Sequence, residues 1–303
     1  AICYASLSNI PQFHCFSEEL KEMADQLVDD SISAGTKKNY QAVVLKLEEF
    51  CHSAKLKDKF TATTIELFVT SLHKKQNLSF GTIQANLSAI RHHCHTLQIP
   101  ITFDTPRLKL LLRGVKKSGS GSAMRCTSRV SKSHLNRICS AADTLLDRTT
   151  AVMYKAMFTL AFFGLLRPSE LARSKSSPQH QLKRKCVRFG SNVILLTFFS
   201  YKHSDKAVNV KVDRISDPFL CPWTNLYTYL CGVTKRVEDP LFDVTTDEFS
   251  SVLSKCADHA GIRTRLTAHS FRRGGATWLS SNGVTDARLK AYGRWTSNAY
   301  LCY

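Results

Sequence analysis

The chain has 303 residues, 43% of them apolar, enough for one large or two ordinary globular domains. Its 42 Lys and Arg outnumber its 24 Asp and Glu, for a formal charge of +18, and a chain this basic is usually built to meet a polyanion. No apolar run approaches the ~20 residues of a membrane span, so no membrane-spanning helix is expected.

The excess charge is uneven: residues 1–122 hold 15 Lys and Arg against 11 Asp and Glu, and the remainder holds 27 against 13. Eleven cysteines, without a CxxC pair or regular spacing, predict reduced thiols in an intracellular compartment rather than a disulfide framework. No signal peptide is present, and the start at Ala1 suggests a fragment or processed chain.

In chain order, residues 1–16 show no period and are expected to be a tail. Leu20, Met23, Ala24 and Leu27 form one helical stripe in 17–30. Thr36 is placed to cap a second helix with Tyr40, Val43, Val44, Leu47 and Phe50 inward. Thr63 opens a third helix (Ile65, Leu67, Phe68 and Leu72 inward) and Ser79 a fourth (Ile83, Leu87 and Ile90). A shorter helix around Leu108–Val115 completes a helical domain over 17–117. Its exposed faces carry Lys37, Lys38, Lys74, Lys75, Arg91, His92 and His93, which suit either phosphate contacts or a solvated surface. The run Arg91–His95 lacks a second ligand cluster, and its members point to different sides of a helix. It predicts a polar helix face rather than a metal site.

The stretch Lys116–Ser122 has linker composition, which places a flexible boundary over 118–130. A second domain, 131–303, opens with a helix capped near Ser133 (Leu135, Ile138 and Leu145 inward). A very apolar helix, Ala151–Leu165, follows. Val193–Phe199 and Val208–Val212 read as strands flanking a basic tip, hence a small antiparallel hairpin. Helices resume at Trp223–Cys231, Asp247–Ala260, His269–Ser281 and Asp286–Tyr292, with a last one carrying Tyr300 and Tyr303. The fold class is therefore mainly α (α+β). Neither a βαβ alternation nor a repeat is present.

Three segments carry chemistry. His269 and Arg272 lie a turn apart on one helix, Arg167 ends an apolar run, and tyrosines lie downstream. Guanidinium forks suit the extra charge on a phosphorane-like transition state. His269 can bind the phosphate or move a proton. Lys202 on the hairpin tip is the candidate acid for a departing 5′ oxygen. Tyr303 is the candidate nucleophile, giving a covalent phosphotyrosyl bond. The scheme needs no metal, cofactor or small-molecule substrate. Each residue taken singly has a plainer reading: Arg167 as a snorkelling helix end, HxxR as chance, Trp295 as core. Their order and spacing together are specific.

Residues 131–303 resemble a tyrosine recombinase (integrase) catalytic domain. Thr267-Ala268-His269-Ser270-Phe271-Arg272-Arg273-Gly274-Gly275-Ala276-Thr277 and Gly293-Arg294-Trp295-Thr296-Ser297-Asn298-Ala299-Tyr300 are similar to the recombinases of eukaryotic DIRS-like and Crypton mobile elements in particular. The helical domain resembles the family's SAM-like core-binding domain. The resemblance implies that Arg167 and Arg272 bind the scissile phosphate, Lys202 protonates the leaving oxygen, and His269 and Trp295 hold the remaining phosphate positions. It also implies that Glu170 supports the arginine and histidine and that Tyr303 attacks. Tyr300 is the rival nucleophile, three residues too close to Trp295 for the usual spacing.

Lys37, Lys38, Arg91 and Arg273 become candidate DNA contacts. The resemblance further implies double-stranded DNA as partner, a homo-tetramer on two DNA sites, a 3′-phosphotyrosyl intermediate, integration or excision of a mobile element, and a nuclear location. Family members continue beyond the tyrosine, so a longer natural chain is expected. A domesticated, non-catalytic DNA-binding descendant is the alternative.

Overall fold

The computed structural model describes residues 11–118, 128–175, 178–199, 207–295, 297, 300 and 301, with the backbone alone for 11–17. The chain divides into two compact units, Ala1–Met124 and Arg125–Tyr303.

The first unit is helical: α1 (Pro11–Asp29), α2 (Ala34–Ser53), α3 (Ala62–Lys74), α4 (Phe80–Thr96) and α5 (Pro106–Ser118). Short hydroxyl side chains start three of them. Ser33, Thr61 and Ser79 each accept a hydrogen bond from a backbone N–H three residues on, satisfying a donor the first turn leaves open. Leu47, Ile65, Phe68, Leu72, Ile83 and Ile90 form the core.

The caps correct two starts, since Ser33 precedes Thr36 and Thr61 precedes Thr63. Leu67 is exposed rather than inward, because it sits at the edge of the α3 stripe. The expected tail is helical over its last six residues, where Pro11 supplies the fixed φ that suits a first helical position. Residues 1–10 lie outside the described residues. The stripe of α1 is exposed at Leu20, Met23 and Leu27. Helix α5 runs through Lys116, Lys117 and Ser118, so the first residues of the linker-like stretch are helical.

The second unit is built around α7 (Arg148–Phe163), which buries ten residues between Ala151 and Phe163. Before it comes α6 (Lys132–Leu145), capped by Ser131 rather than Ser133, with Leu145 exposed beyond the buried stripe. After it come the one-turn α8 (Pro168–Leu171) and strands β1 (Val187–Phe189), β2 (Val193–Phe198) and β3 (Val208–Asp213). The unit ends with α9 (Pro222–Cys231), α10 (Thr246–His259), α11 (Ala268–Ser281) and α12 (Asp286–Tyr292).

The strands form one antiparallel sheet in the order β1-β2-β3, with Val193 opposite Asp213 and Phe198 opposite Val208. Strand β2 alternates, turning Ile194, Leu196 and Phe198 into the core. The hairpin is thus as expected, with β1 added to it. Rings knit the core: Phe158 stacks on Phe271 at 5.3 Å, and Phe249 meets Phe158 edge-on at 5.5 Å.

Candidate active site

Two close backbone approaches seat α11, one against the segment before α6 and one against the end of α7. A Cβ at Gly274 would overlap the Val130 carbonyl, and one at Gly275 the Phe162 carbonyl. The Arg-Arg-Gly-Gly sequence therefore lets α11 lie directly on the end of α7, and this brings Arg272 to the residues that follow α7.

Arg272 is buried to 1% exposure. Its Nη1 donates to the Leu165 carbonyl and its Nη2 to the Gly293 carbonyl. The guanidinium lies 4.4 Å from the centre of the Trp295 ring. One side chain thus joins the segment leading to Arg167 and the segment leading to Trp295. Both segments contain a non-glycine residue at positive φ, Leu165 at 48° and Arg294 at 55°. Such conformations persist only where the surroundings hold them. Gly293 is required for a different reason, because a Cβ there would run into the Trp295 ring.

Arg167 caps α8, with Pro168 at the first helical position. Glu170 reaches back to it. Its Oε2 accepts from the Arg167 backbone N at 2.7 Å, and its Oε1 from Arg167 Nη1 at 2.9 Å. Arg167 Nη2 also donates to the Arg294 carbonyl at 3.4 Å. The Glu170 carboxylate is 1% exposed and Arg167 15%, so this pair is largely screened from water and stronger than a surface ion pair.

The second partner of Glu170 is Arg294, whose Nη2 donates to Oε2 at 2.7 Å, with both side chains 1% exposed. Its guanidinium lies 4.1 Å from the ring centre of Phe198, at the end of β2. Sequence reasoning missed this residue. The only signal was its place between Gly293 and Trp295, a triplet read for its tryptophan.

Two guanidinium groups, those of Arg167 and Arg294, therefore share one buried carboxylate, with a formal excess of positive charge. Burial pushes the Tyr292 phenol well above the ordinary tyrosine range, and it donates to the Phe163 carbonyl at 3.0 Å. Trp295 also meets Tyr300, ring centres 6.1 Å apart.

The structure thus brings Arg167, Glu170, Arg272 and Trp295 together. His269 stands exposed on the first turn of α11 and Arg273 is half-buried one residue beyond Arg272, so His269 and Arg272 share a helix but differ in depth. Lys202 and Tyr303 lie outside the described residues. In the first unit, Lys37 pairs with Asp29, Arg91 lies 5.0 Å from the Phe103 ring centre, and Lys38 is exposed. Exposed Lys109, Arg113, Lys116 and Lys117 give α5 a basic face that sequence reasoning passed over, while Arg107 at its start pairs with Glu66. Among the described residues no His, Cys, Asp and Glu cluster could hold a metal ion, and no helix is long and apolar enough to cross a membrane.

The phage integrase family model matches residues 128–301, more than half of the chain. The chain belongs to this family, the tyrosine recombinases, enzymes that cut and rejoin DNA. Nothing among curated proteins matches it significantly.

Among solved structures it is similar to the Tn1549 transposon integrase in complex with circular intermediate DNA: 15% identity, TM-score 0.60, covering 90% of this chain and 92% of that one. It is similar to the XerH site-specific recombinase bound to palindromic difH substrate in a post-cleavage complex, with 15% identity and TM-score 0.58. That match covers 77% of this chain and 66% of the XerH chain, just under two thirds of its length. It is also similar to a lambda integrase dimer bound to a COC′ core site: 13% identity, TM-score 0.56, covering 92% of this chain and 73% of that one. At these identities the likeness establishes the fold.

Proposed function

We propose that the chain is a site-specific recombinase that cuts and rejoins double-stranded DNA for the integration or excision of a mobile element of the DIRS-like or Crypton kind. The supporting observation is the convergence of Arg167 and Glu170, at the start of α8 and within it, with Arg272 from α11 and Trp295 beyond α12.

On this reading an incoming phosphate meets exposed His269 and the outer edge of Arg167 first. The Trp295 indole and Arg272 then join them in holding the non-bridging oxygens. The Tyr303 oxygen attacks phosphorus, its proton passing to His269, and a 3′-phosphotyrosyl bond forms. The 5′ oxygen departs with a proton from Lys202. Rejoining is the reverse. The roles of Lys202 and Tyr303 rest on their sequence motifs.

The 17–117 helices serve as the core-binding domain, joined through 118–130 to the catalytic domain at 131–303. Lys37, Lys38, Arg91 and Arg273 contact DNA. Four copies act on two sites in the nucleus.

One observation favours a second reading, a non-catalytic DNA-binding descendant: Arg272 is buried, with its Nη atoms on backbone carbonyls. Covalent capture of a nicked duplex bearing candidate element ends separates the two. Recombinase chemistry predicts an adduct that survives denaturation and is lost in Tyr303→Phe while binding persists. Binding by the unchanged chain with no adduct supports the descendant.

A further inference from the structure

We infer that Arg294 is a positioning residue for the strand-cleavage step, acting through Glu170 on the orientation of Arg167; this rests on the recombinase reading above. The geometry is specific. Glu170 spends Oε1 on Arg167 Nη1 and divides Oε2 between the Arg167 backbone N and Arg294 Nη2. Arg294 thus occupies the carboxylate oxygen that a bidentate Arg167 fork would otherwise take. Arg167 is left with one Nη on the carboxylate and the other on the Arg294 carbonyl at 3.4 Å, a long and weak bond. That second donor, held only by this long contact, is the one assigned to the phosphate.

The same guanidinium lies on Phe198, the last residue of β2, so it also braces the strand that leads toward Lys202. Its backbone at φ 55° is a conformation long side chains seldom adopt. Glycine would sit there without strain. The presence of arginine at that position is accounted for by the ion pair and the ring contact.

Loss of Arg294 should let Arg167 collapse onto both oxygens of Glu170 and withdraw from the phosphate. The test uses the full chain and a randomised pool of end-labelled nicked duplexes, with adduct formation followed in single turnover and binding measured separately. Arg294→Met should bind the pool as the unchanged chain does and form adduct about 100-fold more slowly, the scale of a 1 Å misplacement at a reacting centre. Adding Glu170→Gln removes the carboxylate that captures Arg167, so the double variant should recover about tenfold. A merely structural role predicts no such recovery.

Should Arg294→Met fail to fold, the double variant and Arg294→Lys carry the test. The double variant removes the fully buried guanidinium together with the carboxylate it pairs with, and each should bind normally and form adduct at least about tenfold more slowly than the unchanged chain. Undiminished adduct formation in folded Arg294→Met, or in Arg294→Lys, overturns the role of Arg294 and leaves the recombinase reading standing. A double variant as slow as a folded Arg294→Met overturns action through Glu170. No adduct from the unchanged chain removes the reading and this inference with it.

Discussion

The guanidinium of Arg272 lies 4.4 Å from the centre of the Trp295 ring while its two Nη atoms hold the carbonyls of Leu165 and Gly293. A single buried cation therefore fastens the approach to Arg167 to the approach to Trp295. Replacing it with Lys keeps the charge but offers a point donor where a planar fork spans two carbonyls. Arg272→Lys should cost about 2 kcal/mol, within the range for a buried donor pair left unmatched. Urea unfolding of the second unit measures it, and a change below about 0.5 kcal/mol would mean the fork is not what joins the two segments.

Glu170 sits between Arg167 and Arg294 at 1% exposure. Glu170→Ala leaves both guanidinium groups without their buried counter-charge and should destabilise the second unit by about 3–5 kcal/mol, the scale for removing one partner of a buried ion pair. Glu170→Gln retains acceptor oxygen and should cost less. Equal losses in the two variants would show that packing, not charge, explains the effect.

Two glycines give opposite predictions. A Cβ at Gly275 would overlap the Phe162 carbonyl, which is backbone and cannot swing away. Gly275→Ala should destabilise by about 3 kcal/mol, the upper end for overpacking. Gly114, inside α5, has nothing within 4 Å of a built Cβ, so Gly114→Ala should stabilise the first unit by about 0.5–1 kcal/mol. Calorimetric melting of the two variants reads both signs.

Alkaline pH should weaken the second unit. Burial pushes Tyr154 up to about 12 from 10.0, Cys139 up to about 12 from 9.0 and Cys256 up to about 11 from 9.0. A raised pKa means that the folded chain keeps protons the unfolded chain releases. The stability these groups supply is whole below about pH 9 and falls as pH climbs toward 12. The slope is about 1.4 kcal/mol per pH unit for each proton of difference. Tyr154→Phe removes one such proton and should flatten the decline in urea midpoints between pH 10 and 12. An unchanged slope would place the titration elsewhere.

Much of this architecture is legible in the sequence. Ser79 marks the start of α4, the 286–292 helix keeps its expected bounds, and the Val193 and Val208 runs pair as a hairpin. Strand β1 is three residues long, too short for alternation to register. Leu67 and Leu145 fall at stripe edges, where a fraction of a turn decides burial.

In the site, the Arg167–Glu170 pairing is expected from the family resemblance, and the two residues are three apart on one turn. The Glu170–Arg294 pair joins positions 124 apart, and no local pattern carries such a contact. The depth of Arg272 was equally hidden, because it depends on carbonyls presented beside two left-handed residues, Leu165 and Arg294. Lys202 and Tyr303 remain sequence readings.

Binding to DNA should depend steeply on salt, since each neutralised phosphate releases condensed counterions. Lys38 is exposed, whereas Lys37 already pairs with Asp29. Lys38→Ala should lower the salt slope by about 1, and Lys37→Ala by less. Fluorescence anisotropy over a salt series checks this, and affinity flat in salt would count against DNA as the ligand.

The most direct measurement is identification of the covalently linked residue after the chain reacts with a nicked duplex, by digestion and mass spectrometry of the peptide that retains a nucleotide. The account predicts Tyr303 joined to a 3′ phosphate, and loss of that peptide when Arg167 is changed to Ala. A nucleotide on Tyr300, a link to a 5′ phosphate, or DNA bound with no linked peptide at all would contradict it.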